Sequence, residues 1–226
     1  MKPGHWGVLG ACAFILAGSA DAALVPRLGG QAVYDTDLDV TWIADANLAA
    51  GNAFGTPGIG ADGRMNWATA KAWIGNLNAV HYLGFDDWRL PITPQPDPSC
   101  SDQTGDVPPQ GFGLGCTGSE LGHLFYAEFG ATENTSVLAT GDPAVLARFE
   151  NLQADVYWSG TPYAPTPSFV WNFFFSNGFQ GAFSQDLGNY FVWAVRDGDA
   201  VVPVPAAVWL FGSGLIGLLG VAGRRR

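Results

Sequence analysis

The sequence predicts an α+β fold with two or three helices and an antiparallel, aromatic-rich sheet. Three features carry that prediction. Apolar residues recur at helical spacing in the middle of the chain, and short aromatic strands separated by turn residues fill its final third. Uncharged apolar segments bracket both, one at each end of the 226 residues.

Lys2 precedes an apolar run from Val8 to Ala20, and Ala20-Asp21-Ala22 supplies the small-x-small pattern of a signal-peptidase site. The run is shorter than the roughly 20 apolar residues a bilayer span takes. Residues 1–22 therefore read as a signal peptide cleaved before Ala23, with a buried N-terminal helix as the competing reading.

Gln31 to Ile43 alternates and is rich in Val, Tyr, Thr and Trp, which predicts a strand or hairpin with an Asp-rich turn. Asn47 to Gly63 is a Gly/Ala/Asn loop. Trp67, Ala70, Trp73, Ile74 and Leu77 then recur at helical spacing, with Asn66 as the cap. The stretch 91–116 reads as a Pro/Gly-rich insertion. Thr117-Gly118-Ser119-Glu120 has capping-box spacing and opens a second helix through Leu121, Leu124, Phe125 and Phe129, with Gly130 as its stop. Asp142-Pro143 starts a third. Strands follow at Val156–Ser159, Phe169–Ser176, Phe179–Phe183 and Tyr190–Arg196, with Asn177-Gly178 predicted as a type I′ turn.

Beyond this domain, residues 23–200, the segment from Ala206 to Gly223 has no charged residue and Arg224, Arg225 and Arg226 end the chain. A helix over 206–223 rises about 27 Å, enough to span a thin bilayer. The terminal arginines hold that end in the cytoplasm. A buried C-terminal helix is the competing reading.

Between the two ends, six basic residues face nineteen acidic ones, a net charge near −13. Such a surface repels phosphate backbones, which excludes nucleic acid as a partner. Cys12 leaves with the signal peptide. Cys100 and Cys116 close the insertion and read as a disulfide in an oxidising compartment. A metal site is the rival reading, but no second Cys pair or clustered His accompanies them.

Asp35, Asp37 and Asp39 invite a calcium reading, but lack the loop-spaced ligands of such a site and read as solvated turn aspartates. His81 and His123 have no ligand-spaced partner and read as surface or helix-flank residues. No nucleophile elbow, paired glutamates or phosphate loop appears, so no catalytic residue and no cofactor is assigned. Trp42, Trp67, Trp73, Trp88, Trp158, Trp171 and Trp193 read as core. Arg89 and Arg196 read as structural cations that stack on aromatic rings or pair with Asp87 or Asp197. Alternation in the strand from Phe169 puts Trp171, Phe173 and Phe175 on one face and Val170, Asn172 and Phe174 on the other. Asn172 and Phe174 form the candidate binding face; either they lie exposed or the insertion covers them.

The string Val202-Pro203-Val204-Pro205-Ala206, followed by an apolar helix and arginines, resembles a PEP-CTERM sorting signal of the VPxPA kind, with Val204 where Leu is usual. The resemblance implies an exosortase-type partner. It implies inner-membrane anchoring before the tail is removed, and a cell-surface or extracellular destination afterwards. Five further strings resemble the Lcl C-terminal-like domain, which has a C-type-lectin-like fold. They are Leu38–Trp42, Trp88-Arg89-Leu90-Pro91, Ser119-Glu120-Leu121, Tyr157–Thr161 and Trp193–Asp197. Trp171-Asn172 resembles the Trp-Asn-Asp calcium-and-sugar motif of C-type lectins, but Phe173 stands in place of the aspartate. Together these resemblances imply an exported, non-catalytic protein that binds or associates with extracellular polysaccharide or matrix. The alternatives are an exported enzyme of unknown substrate and a purely structural matrix component.

Overall fold

A computed structural model of the chain describes residues 23–200. The expected signal peptide 1–22, the sorting motif Val202–Ala206, the expected span 206–223 and Arg224–Arg226 lie outside the described residues. Among the described residues no helix is long and apolar enough to cross a membrane.

The strands are β1 (Leu24–Arg27), β2 (Ala32–Asp35), β3 (Val40–Ile43), β4 (Asp102–Gln103), β5 (Gly111–Phe112), β6 (Val156–Pro162), β7 (Phe169–Phe174), β8 (Phe179–Ser184) and β9 (Val195–Asp197). The helices are α1 (Trp67–Ala79), α2 (Glu120–His123), α3 (Val137–Thr140) and α4 (Pro143–Leu146). They form three antiparallel sheets, ordered β1-β2-β3-β9, β4-β5 and β6-β7-β8, an α+β arrangement. The first and last strands share a sheet, with Trp42 opposite Val195.

Local chemistry explains most of these elements. The Asn66 side chain accepts from the Thr69 N–H at 2.9 Å and caps α1. The same five apolar positions that set the helical period are the buried ones. Asp142 caps α4 by accepting from Ala144, with Pro143 in the first turn. The cap of α2 is Ser119, whose hydroxyl accepts from Gly122. Thr117 does not fill that role, because the helix starts at Glu120, whose carboxylate binds Arg89 instead of closing a capping box. After His123 the helix continues as a π-helical turn, Leu124–Glu128, in which the Phe129 N–H reaches the Leu124 carbonyl.

The β7–β8 connection departs from expectation. Phe174 pairs with Phe179, so the loop has four residues, Phe175 to Gly178. Gly178 has φ +80° while Asn177 stays at negative φ, which excludes a type I′ turn. Gly178 is required twice over. A Cβ there would also stand 2.5 Å from the Tyr126 hydroxyl oxygen and 2.8 Å from the Phe125 ring.

The β6-β7-β8 sheet is buried on both faces over most of its length. One core holds Trp42, Phe125, Phe129, Phe149, Tyr157, Phe173, Phe175 and Trp193. The other holds Met65, Trp67, Trp73, Trp88, Trp158 and Val170 under α1. Adjacent residues Tyr157 and Trp158 thus enter different cores, as alternation requires. All seven tryptophans read as core are buried. Five of their indole N–H groups donate to backbone carbonyls: Trp67 to Ser159, Trp73 to Asn52, Trp88 to Tyr82, Trp158 to Met65 and Trp193 to Ile43. These bonds pin loops as well as strands.

One expectation fails here and another holds only in part. Asp35 is fully buried rather than solvated; its Oδ1 accepts from the N–H groups of Asp37 and Leu38 at 3.0 Å and so builds the β2–β3 turn from within. His123 ends α2, the helix-flank position expected, but its side chain is largely buried and not at the surface. It faces Asp35 and Glu128, because stacking of the first sheet against α2 buries both.

Candidate functional site

The five strings that carry the lectin-like resemblance are far apart in sequence and meet around Arg89. Its guanidinium binds the Glu120 carboxylate through both terminal nitrogens, at 2.8 and 2.7 Å, and Asp197 at 2.5 Å. Burial works against that charge, but the two carboxylates hold Arg89 protonated above its ordinary range. Glu120 also accepts from the Ile92 N–H at 2.7 Å. Ser159 donates to the Pro91 carbonyl and accepts from Thr93. Trp42 packs against Trp193 with ring centroids 5.2 Å apart. Arg196 binds Asp87 through two nitrogens at 2.8 and 2.9 Å and stacks 4.2 Å over Phe85. Every charged or hydroxyl group named here is engaged within the protein, and only the buried Trp42 indole N–H lacks a partner, so the cluster is a brace.

The brace fixes β6 and β7, and the insertion then frames the surface of β7. The Cys100–Cys116 disulfide closes the insertion, with Cα atoms 4.2 Å apart. Gly113 pairs with Gln180 along the free edge of β8, which covers an otherwise open strand. The Gln180 amide donates to the Gly111 carbonyl at 3.0 Å. The Tyr126 hydroxyl donates to the Gly178 carbonyl and accepts from Gly115, tying the insertion to the hairpin loop. Phe112 lies against Trp171 at 4.6 Å.

Two depressions result, one on each side of β7. The larger, about 410 Å³, is lined by Pro94, Gln95, Pro108, Gln110, Thr161 and Trp171 among others. The second, about 250 Å³, holds the sequence-predicted pair Asn172 and Phe174 together with Phe112, Phe179, Gly181 and Phe183. Phe179 and Phe183 are 37% and 43% exposed, so the insertion does not cover this face. Phe174 is half-buried and meets Phe179 edge-on at 5.7 Å.

Asn172 is the floor of this second depression. It is 2% exposed, and its Oδ1 has no hydrogen-bond partner within the protein. Gly181 stands directly across the strand pair. A Cβ on Gly181 would lie 3.5 Å from Asn172 Oδ1 and 2.9 Å from the Phe179 ring, so the amide oxygen faces the space left by the missing side chain, under that ring. The chemistry on offer is a buried amide acceptor under the Phe179 ring, in a depression that Phe174 and Phe183 also line.

The larger depression also carries orphaned polar atoms: Gln95 Nε2, Gln110 Oε1 and Trp171 Nε1. Its Trp171 ring is fully buried under Phe112 and Tyr163 and offers no open stacking surface. Sequence reasoning missed Gln95 and Gln110, because the insertion has no periodicity from which to read them.

No protein-family model, no curated protein and no solved structure matches the chain.

Proposed function

We propose that this is an exported, surface-sorted, non-catalytic protein with a C-type-lectin-like domain, which associates with extracellular polysaccharide through the Phe174–Phe179–Phe183 face. One observation carries the reading: three partly exposed phenylalanine rings line the same depression as a buried asparagine whose oxygen has no partner in the protein. Aromatic rings stack on the apolar faces of sugar rings, and an orphaned amide accepts from a hydroxyl; an unpartnered buried acceptor otherwise costs about 1–3 kcal/mol. Binding turns the Phe179 ring away from Gly181 and opens that oxygen. The strong negative charge favours a neutral polymer over an anionic one. The placement of the first and last strands in one sheet, where β9 pairs with β3, supports the lectin-like reading of the fold. The VPVPA string and terminal arginines support sorting by an exosortase-type enzyme.

The test is co-sedimentation of the purified protein with insoluble neutral polysaccharides, comparing the parent with Phe179→Ser and Phe183→Ser. These rings are partly exposed, so both variants fold. Retention of the parent and loss in both variants supports the proposal. Equal retention of parent and variants, or no retention of the parent on any polymer, overturns it.

A further inference from the structure

Asp35, His123 and Glu128 meet at the back of the first sheet. His123 Nε2 lies 3.2 Å from Glu128 Oε1 and 3.9 Å from Asp35 Oδ2, and one ligand atom from each residue falls within 4.8 Å of the others. The π-helical turn creates the pairing, since a wider turn brings residues five apart onto one face where an α-helix aligns three and four. Asp35 arrives from β2. Its Oδ1 is committed to the turn, and its Oδ2 is buried without any hydrogen-bond partner while pointing at the imidazole. The side chains of Asp35, His123 and Glu128 are only 0%, 15% and 6% exposed.

We propose that these three residues form a binding site for a first-row divalent metal ion, with Zn²⁺ the best fit. Around a tetrahedral ion at zinc bond lengths, donor atoms stand about 3.3–3.6 Å apart. The two spacings from the imidazole, 3.2 and 3.9 Å, bracket that range, and the carboxylates lie within 4.8 Å of each other, so side-chain rotations close the site. Two buried carboxylates beside one imidazole leave excess negative charge that a dication neutralises, and the ion supplies the partner that Asp35 Oδ2 lacks. The imidazole selects against Ca²⁺ and Mg²⁺, which favour all-oxygen shells. Three protein ligands leave a fourth position for water. Metal there clamps the β2–β3 turn to α2. The other such grouping among the described residues, Asp97 with Cys100 and Cys116, offers no thiolate, because its sulfurs are joined to each other.

The experiment is calorimetric titration of chelator-stripped protein with ZnCl₂ at neutral pH, repeated with CaCl₂. One Zn²⁺ per chain and no Ca²⁺ response are expected. His123→Gln and Glu128→Gln each weaken Zn²⁺ affinity by about 100-fold or more, whereas His81→Ala, at the exposed His81–Asp86 pair, leaves it unchanged. X-ray absorption of the Zn²⁺-loaded parent, which needs no variant to fold, shows one imidazole nitrogen among oxygen donors. Absence of stoichiometric binding, binding insensitive to His123→Gln, or a shell without imidazole overturns the site.

Discussion

Replacing Glu120 with Gln tests the brace that positions β6 and β7. The substitution keeps the shape, removes the charge and places an N–H₂ where one carboxylate oxygen accepts from Arg89 or from Ile92. Breaking a buried ion pair by removing one partner costs about 3–5 kcal/mol. Two features reduce that figure here: Arg89 keeps Asp197, and about a quarter of its own side chain reaches solvent. The expected loss is therefore about 2–3 kcal/mol, which for a domain of this size lowers Tm by roughly 4–12 °C. Urea unfolding followed by tryptophan fluorescence is the assay. The midpoint falls with an unchanged m-value, because the native surface is unaltered. The double variant Arg89→Met/Glu120→Gln is less unstable than the two single losses added together, since Met removes the cation that Gln leaves undercompensated. A change below about 0.5 kcal/mol in Glu120→Gln, the range of ordinary surface substitutions, would refute the brace.

Other outcomes follow from single features. Replacing both Cys100 and Cys116 with Ser lowers stability by about 3 kcal/mol through loop entropy, and non-reduced mass spectrometry of the parent shows the linked peptides. The hydrogen bonds from Arg196 hold Asp87 below its ordinary pKa. The stability from that pair is complete above the ordinary carboxylate range and is lost as pH falls through the depressed value. Asp87→Asn accordingly destabilises at neutral pH and has no effect once the parent carboxylate is protonated, as acid titration of the unfolding midpoint checks. Replacing Pro203 and Pro205 with Ala leaves uncleaved, membrane-bound chain in cells that carry the processing enzyme, as immunoblotting of membrane fractions detects.

The elements legible in the sequence were those whose signal is local. Asn66 and five spaced apolar residues specify α1 without help from the rest of the chain, and Asp142-Pro143 does the same for α4. The exposure of Phe179 and Phe183 was not legible. Polar–apolar alternation marks a sheet with one wet face, whereas β7 is buried on both sides between its two ends and the exposed Phe179 and Phe183 lie on its neighbour β8. Helix α3, four residues long, has no period to detect. The grouping of Asp35, His123 and Glu128 needs a π-helical turn and a sheet–helix contact, neither of which leaves a spacing in the sequence. Asn172 and Phe174 were paired on one face from strand alternation. The missing partner of Asn172 Oδ1 became visible only with Gly181 placed opposite.

The most direct test of polysaccharide binding at this face is a side-chain NMR titration with a soluble oligosaccharide from the retained polymer. Binding at this face makes the Asn172 amide and the rings of Phe174, Phe179 and Phe183 shift together and saturate at one concentration, while Trp171 Nε1–H and the Gln110 amide stay still. Shifts confined to Trp171 and Gln110, or no saturable shift at all, would contradict it.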